Sequence, residues 1–189
     1  MPPPAGPYLA AFNLLQEDFR RLGEYVELND ANLSTFSIRL YELLLRACTE
    51  FESLCKELLV ERRYRKKPPN MNIDDYKTLQ GPWDFESKSV GVLRWMREPC
   101  YVDPFHKWST AKPPLPWYDA YNAVKHNRHT EFRKASLKNV RNAIAGQFAL
   151  IVETSLIAQS GASMREQRAK NGQREYIYSG FDFSFVTPG

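Results

Sequence analysis

The sequence predicts a mainly α fold: an antiparallel helical bundle with a proline- and aromatic-rich irregular insert and a short extended C-terminal segment. Three observations predict it. Apolar residues recur at threes and fours over two long stretches, near residues 8–67 and 117–158. Prolines break that pattern between them, over 68–116. Aromatic residues alternate with other residues over 176–185. The 189 residues suit a single domain, with 8–67 and 117–158 as its core, 68–116 as the insert and 159–189 as an extended tail. A hydrophobic content of 43% and an aromatic content of 13% exclude a wholly disordered chain.

Pro2, Pro3, Pro4 and Pro7 form a lead-in. A first helix follows, with Tyr8, Phe12, Leu15, Phe19, Leu22 and Val26 on one stripe, broken at Asn29–Asn32. The second helix is the strongest element. Ser34 is its expected N-cap, and Leu40, Leu44, Ala47, Cys48, Phe51, Leu54, Cys55 and Leu58 form its apolar face. It is expected to run to Lys67, about 45 Å in all, before Pro68 and Pro69 stop it. Arg46 and Glu50 lie on its polar side, either as a surface ladder or facing the later motif helix.

Within the insert, Asn72 is placed to cap a short helix over Ile73–Leu79, and Val90–Met96 reads as a strand or another helical turn. Trp83, Phe85, Trp95 and Trp108 imply an ordered cover on the bundle, because a solvated linker would not carry such rings. Trp117, Tyr118, Tyr121 and Val124 fit one short helix, and residues 126–130 read as a break. A long helix is expected from Phe132 to Ile157, ended by Gly161. Residues 164–174 are polar and basic. Tyr176, Tyr178, Phe181, Phe183 and Phe185 suggest extended chain, with a hairpin around Ser179 and Gly180.

The net charge of +4 is unevenly spread. The first 30 residues are acidic, whereas Lys125, Arg128, Arg133, Lys134, Lys138 and Arg141 face a single acid, Glu131, in one short stretch. A second basic run is Arg62, Arg63, Arg65, Lys66 and Lys67. Such stretches suit an anionic partner or a solvated face. No apolar run is long enough to span a membrane, and the N-terminus lacks the basic start of a secretory signal, so a cytoplasmic protein is expected. Cys48, Cys55 and Cys100, an odd number, argue against a disulfide framework. Phosphate-loop, dinucleotide-binding, zinc-protease and nucleophile-elbow motifs are absent, and His126 with His129 has no third ligand nearby. No metal and no cofactor is expected.

The candidate site is the polar cluster Asp119, Asn122, Lys125, His126 and Arg128. Asn122 and His126 are four apart and share a helical face. An imidazole can give or take a proton at neutral pH. Lys125 and Arg128 can neutralise a phosphate, and Asn122 can orient the ring or bond a phosphate oxygen. On an ideal helix Lys134, Lys138 and Arg141 fall within about 60° of one another and form a basic flank beside the cluster. The alternative reading is structural: His126 caps a helix C-terminus, and the lysines extend their stems over apolar surface.

At Asn122 and His126 the chain resembles the HEPN superfamily of helical-bundle proteins. That family's motif is an arginine, usually followed by a polar residue such as asparagine, with a histidine four to six residues on. Tyr121-Asn122-Ala123-Val124-Lys125-His126 matches in the asparagine and the histidine. The resemblance spans residues 8–158. It implies a homodimer with two motifs facing across a cleft, and RNA or nucleotide as partner. It also implies either metal-independent RNA cleavage, with His126 assisting proton transfer, or binding without cleavage. Tyr121 stands where the motif arginine is expected. The charge-stabilising role then falls to Lys125 or Arg128, and lysine lacks arginine's bidentate fork. Non-catalytic binding, or a structural and protein-interaction role, gains accordingly.

Overall fold

The computed structural model describes residues 5–96, 98–106, 108–110, 115–169 and 172–188. Helix α1 spans Ala5–Leu22 and buries Phe12, Leu15, Phe19 and Leu22 of the expected stripe, with Leu9 beside them; Tyr8 is half-buried and Val26 lies beyond the helix. Helix α2, Ile38–Glu61, is capped by Ser37, whose hydroxyl accepts from the Leu40 N–H; Ser34 lies outside it. It ends earlier than the proline signal implied. Arg63 takes a left-handed conformation at φ 55°, and the Arg63 and Tyr64 N–H groups bond back to Val60 and Leu59. This reversed double bond terminates the helix six residues before Pro68. At 24 residues α2 is about 36 Å long.

The insert begins with two short helices, α3 at Ile73–Tyr76 and α4 at Gln80–Trp83. Asn72 caps α3 in a reciprocal capping box with Asp75. Strands β1, Ser89–Val92, and β2, Cys100–Val102, follow. Helix α5 spans Pro116–His126, α6 Arg128–Glu131 and α7 Leu137–Glu153. Helix α7 is shorter than expected because Phe132–Lys134 is a separate 3-10 turn and Ser136 is the N-cap. The tail supplies β3, Met164–Arg168, β4, Arg174–Tyr178, and β5, Phe183–Thr187.

The expected mainly α bundle is therefore corrected. Helix accounts for 57% of the structure, but the five strands join into one antiparallel sheet, ordered β2-β1-β5-β4-β3, and the fold is mixed α and β. The expected hairpin around Ser179 and Gly180 is present as β4 and β5, but the insert supplies two strands of the same sheet and the tail is part of it. Ser89–Val92 pairs with Phe183–Val186, so each supplies the partner the other lacks. Val90, Val92, Phe183 and Phe185 line the buried face, and Phe148 of α7 meets Phe183 at 5.6 Å between ring centroids. A two-stranded pair is marginal alone, and here the other three strands and the packing of α7 support it. The turn between β4 and β5 is tied to α1, where Gln16 bonds Gly180 and Asp182 and Arg20 pairs with Asp182.

One apolar core runs from Leu9 to Phe185 through both parts. The Gln147 amide and the Trp108 indole N–H are buried without a hydrogen-bond partner among the described residues. The Arg62–Lys67 run holds the insert in place: Arg62 lies 4.4 Å from the centre of the Trp83 ring, and Lys66 pairs with Asp75 at 2.7 Å. Burial alone would push the Asp75 carboxyl up. Bonds from Lys66, the Asn72 N–H and the Tyr64 hydroxyl outweigh burial and hold it below the ordinary carboxylate range. The stability this contributes is present above the unfolded value and is lost as pH falls through the lower folded value. Asp75→Asn will therefore weaken the protein at neutral pH and flatten its acid destabilisation below about pH 4. Urea denaturation across that range measures the change, and an acid limb as steep as the wild type's would refute it.

Among the described residues no helix is long and apolar enough to cross a membrane.

Candidate nucleic-acid interface

Helix α5 turns Trp117, Tyr118, Ala120, Tyr121 and Val124 inward. Trp117 packs edge-on against Phe51 of α2 at 5.1 Å and donates its indole N–H to the Pro104 carbonyl. The Tyr118 hydroxyl donates to Glu52 of α2 at 2.6 Å. Burial pushes that phenol well up, and the Glu52 carboxylate raises it further, so it stays protonated. These contacts fix the rotation of α5 and leave its C-terminal turn at the surface.

There the predicted site residues separate. Asn122 is half-buried, and Lys125, His126 and Arg128 are exposed. Lys125 folds back onto α5: its ammonium donates to the Tyr121 hydroxyl at 2.9 Å and lies 4.9 Å from that ring's centre. This bond raises the Lys125 pKa. Arg128 turns the other way, 4.7 Å over Tyr41 of α2 and 5.4 Å over Phe132. Tyr121, at the motif-arginine position, is buried against Tyr118. Arg46 pairs with Asp18 of α1, so it does not support His126 from behind.

The expected basic flank is rearranged. Lys134 lies in the 3-10 turn before α7, so it does not continue that helix's spacing. Arg141 is only 7% exposed; its guanidinium sits 5.0 Å from the Trp95 ring centre and bonds Cys100 Sγ at 3.3 Å. Burial lowers its pKa, and Asp30 at 3.7 Å opposes that shift. Arg141 therefore holds β2 and the segment after α1 against α7, and it is absent from the open basic surface.

What the fold builds at that surface is a groove of about 530 Å³. Leu33, Ser34 and Phe36 form one wall; Arg133, Lys134, Ser136, Lys138 and Asn139 form the other. The two are held together by backbone. The Leu137 N–H donates to Thr35 O and the Lys138 N–H to Leu33 O, and Ser136 Oγ accepts from the Asn139 N–H. The first N–H groups of α7 are thus already used, and the groove's positive potential comes from side chains. Lys134 is partly neutralised by Glu131 at 2.9 Å, while Arg133 and Lys138 have no carboxylate partner among the described residues. The turn carrying Arg133 and Lys134 packs directly on α5.

No protein-family model, curated protein or solved structure matches the chain. Among the described residues no group of three His, Cys, Asp or Glu side chains is placed to hold a metal ion. Phe36 was not found from the sequence, and Ser34 and Arg133 were noted there only as a cap and as one base of the stretch after Lys125. The only signal was the density of bases after Lys125, because the other wall of the groove lies about a hundred residues earlier in the chain.

Proposed function

We propose that the protein binds RNA without cleaving it, through the basic groove and the adjoining C-terminal turn of α5. The observation that carries this is the convergence of Arg133, Lys134 and Lys138 on one groove, with Ser34, Ser136 and Asn139 between them as hydrogen-bonding groups. Lysine and arginine with intervening hydroxyls and amides are the groups that contact a phosphate backbone. Arg128 extends the positive surface beside the groove. His126, exposed and with no hydrogen-bond or ion-pair partner among the described residues, stands two residues before Arg128 in the chain. The HEPN-like motif supports the same ligand class. Against cleavage stands Tyr121, buried and bonded to Lys125 where the motif's arginine would stabilise charge on the phosphate.

Fluorescence anisotropy with a labelled RNA oligonucleotide tests this reading. Neutralising about four phosphates gives a slope of roughly −3 in a plot of log affinity against log salt. The double variant Arg133→Glu/Lys138→Glu will bind at least about tenfold more weakly, with a shallower slope. Absence of RNA binding at low salt, with the protein folded, would refute it.

A further inference from the structure

We propose that the RNA held here is single-stranded, with unpaired bases stacked on a surface row of rings formed by Tyr41, Phe132 and Phe36; this rests on the reading above that RNA is the ligand. The row comes from two distant pieces of chain: the segment leading into α2 with that helix's first turn, and the 3-10 turn before α7. Phe36 and Phe132 meet edge-on at 5.8 Å and 88°, and Phe132 and Tyr41 at 6.0 Å and 55°. Phe36 is 37% exposed, and Tyr41 and Phe132 are half-buried, so the row is open along the surface and not absorbed into the core.

An arginine lies over each end. Arg128 covers Tyr41 and Phe132, and Arg133 lies 5.3 Å from the centre of the Phe36 ring. Neither guanidinium has a carboxylate partner among the described residues. Each is held against an aromatic face while its N–H groups stay free for a phosphate, and a guanidinium plane is itself a surface on which a base can stack. Phe36 and Arg133 also line the groove, so the rings and the backbone-binding cations form one continuous surface.

The angles between the rings decide between single strand and duplex. Rings at 55° and 88° to their neighbours face different directions, so bases stacked on them must be splayed apart. A duplex keeps its base faces inside its own stack and offers only grooves and backbone. The rings therefore add nothing to duplex binding, whereas the cations serve both forms. Stacking also tolerates sequence, since every base has a π-face.

The test compares one single-stranded RNA with the duplex made from it and its complement, by anisotropy on the full chain. The single strand is expected to bind about tenfold or more tightly than the duplex. Phe36→Ala will weaken single-strand binding about tenfold and duplex binding far less, with the salt slope unchanged, because stacking releases no counterions. Arg133→Lys, which keeps the charge and removes the flat group, will weaken the single strand more than the duplex. Circular dichroism and thermal melting will show Phe36→Ala folded as the wild type is. Equal affinity for the two forms, or an unaltered single-strand affinity in Phe36→Ala, would overturn the stacking proposal while leaving RNA as the ligand. Failure of both forms to bind at low salt would remove the underlying reading and the proposal with it.

Discussion

Replacing Phe51 with alanine will lower the unfolding free energy by about 3–5 kcal/mol. Phe51 is wholly buried at the middle of α2, and its ring meets five others: Tyr76, Phe105, Trp108, Trp117 and Tyr118. Three of these belong to the insert and two to α5. The cavity left by truncation would thus open where α2, the insert and the motif helix meet, and aromatic neighbours of fixed shape collapse poorly into such a space. The loss will also have a local signature. Amides of the insert between α3 and Trp108 will exchange faster with solvent than those of α1, measured by native-state hydrogen exchange. Phe51→Leu will cost distinctly less. A Phe51→Ala protein less than about 1 kcal/mol weaker than wild type would show that the ring cluster is not the joint between insert and bundle.

Gly91→Ala will be the most damaging small substitution in the sheet, at about 2–4 kcal/mol. Gly91 sits in β1 between Tyr101 of β2 and Ser184 of β5. A Cβ there would overlap Ser184 Oγ, and would lie 3.1 Å from the Tyr101 ring and 3.3 Å from Glu175 Oε1. Ser184 cannot simply turn away. Its hydroxyl donates to Glu175, a carboxylate only 1% exposed that also accepts from Tyr101 and Gln167. Rotating Ser184 would withdraw one donor from a buried charge, which adds a desolvation cost to the steric one. The double variant Gly91→Ala/Ser184→Gly will recover part of the loss, and the two changes will be non-additive in chemical denaturation. Strict additivity would mean that the overlap with Ser184 is not what makes glycine necessary.

The helices could be read from the chain because each carries its own signal. The buried faces of α1 and α2 follow the 3.6-residue period, and the Asn72 cap acts on neighbouring residues. Their ends were less legible. Ser34 was the expected cap, but Ser37 caps α2, because Thr35 and Leu33 direct their carbonyls to α7. The sheet was hidden for a stronger reason. Strand β3 is Met-Arg-Glu-Gln-Arg, exposed at every position, so no alternation marks it. Strand β2 has three residues, and β1 pairs with a strand more than ninety positions later. A strand's partner is a long-range choice that local periodicity does not encode.

The candidate site divides along the same line. The density of bases after Lys125, the Asn122–His126 spacing and the missing motif arginine at Tyr121 are properties of the sequence alone. So are the helical character of the core segments and their apolar faces, because propensity, capping and periodicity act over a few residues. Which cations share a surface was decided only by tertiary structure. Burial took Arg141 out of the basic flank, the break before α7 moved Lys134, and Lys125 was drawn back to Tyr121. Backbone bonds from residues 33–35 brought Phe36 to Arg133, and the packing of α2 brought Tyr41 to Arg128. Those contacts join residues about a hundred positions apart, and only burial of a common core fixes such distances.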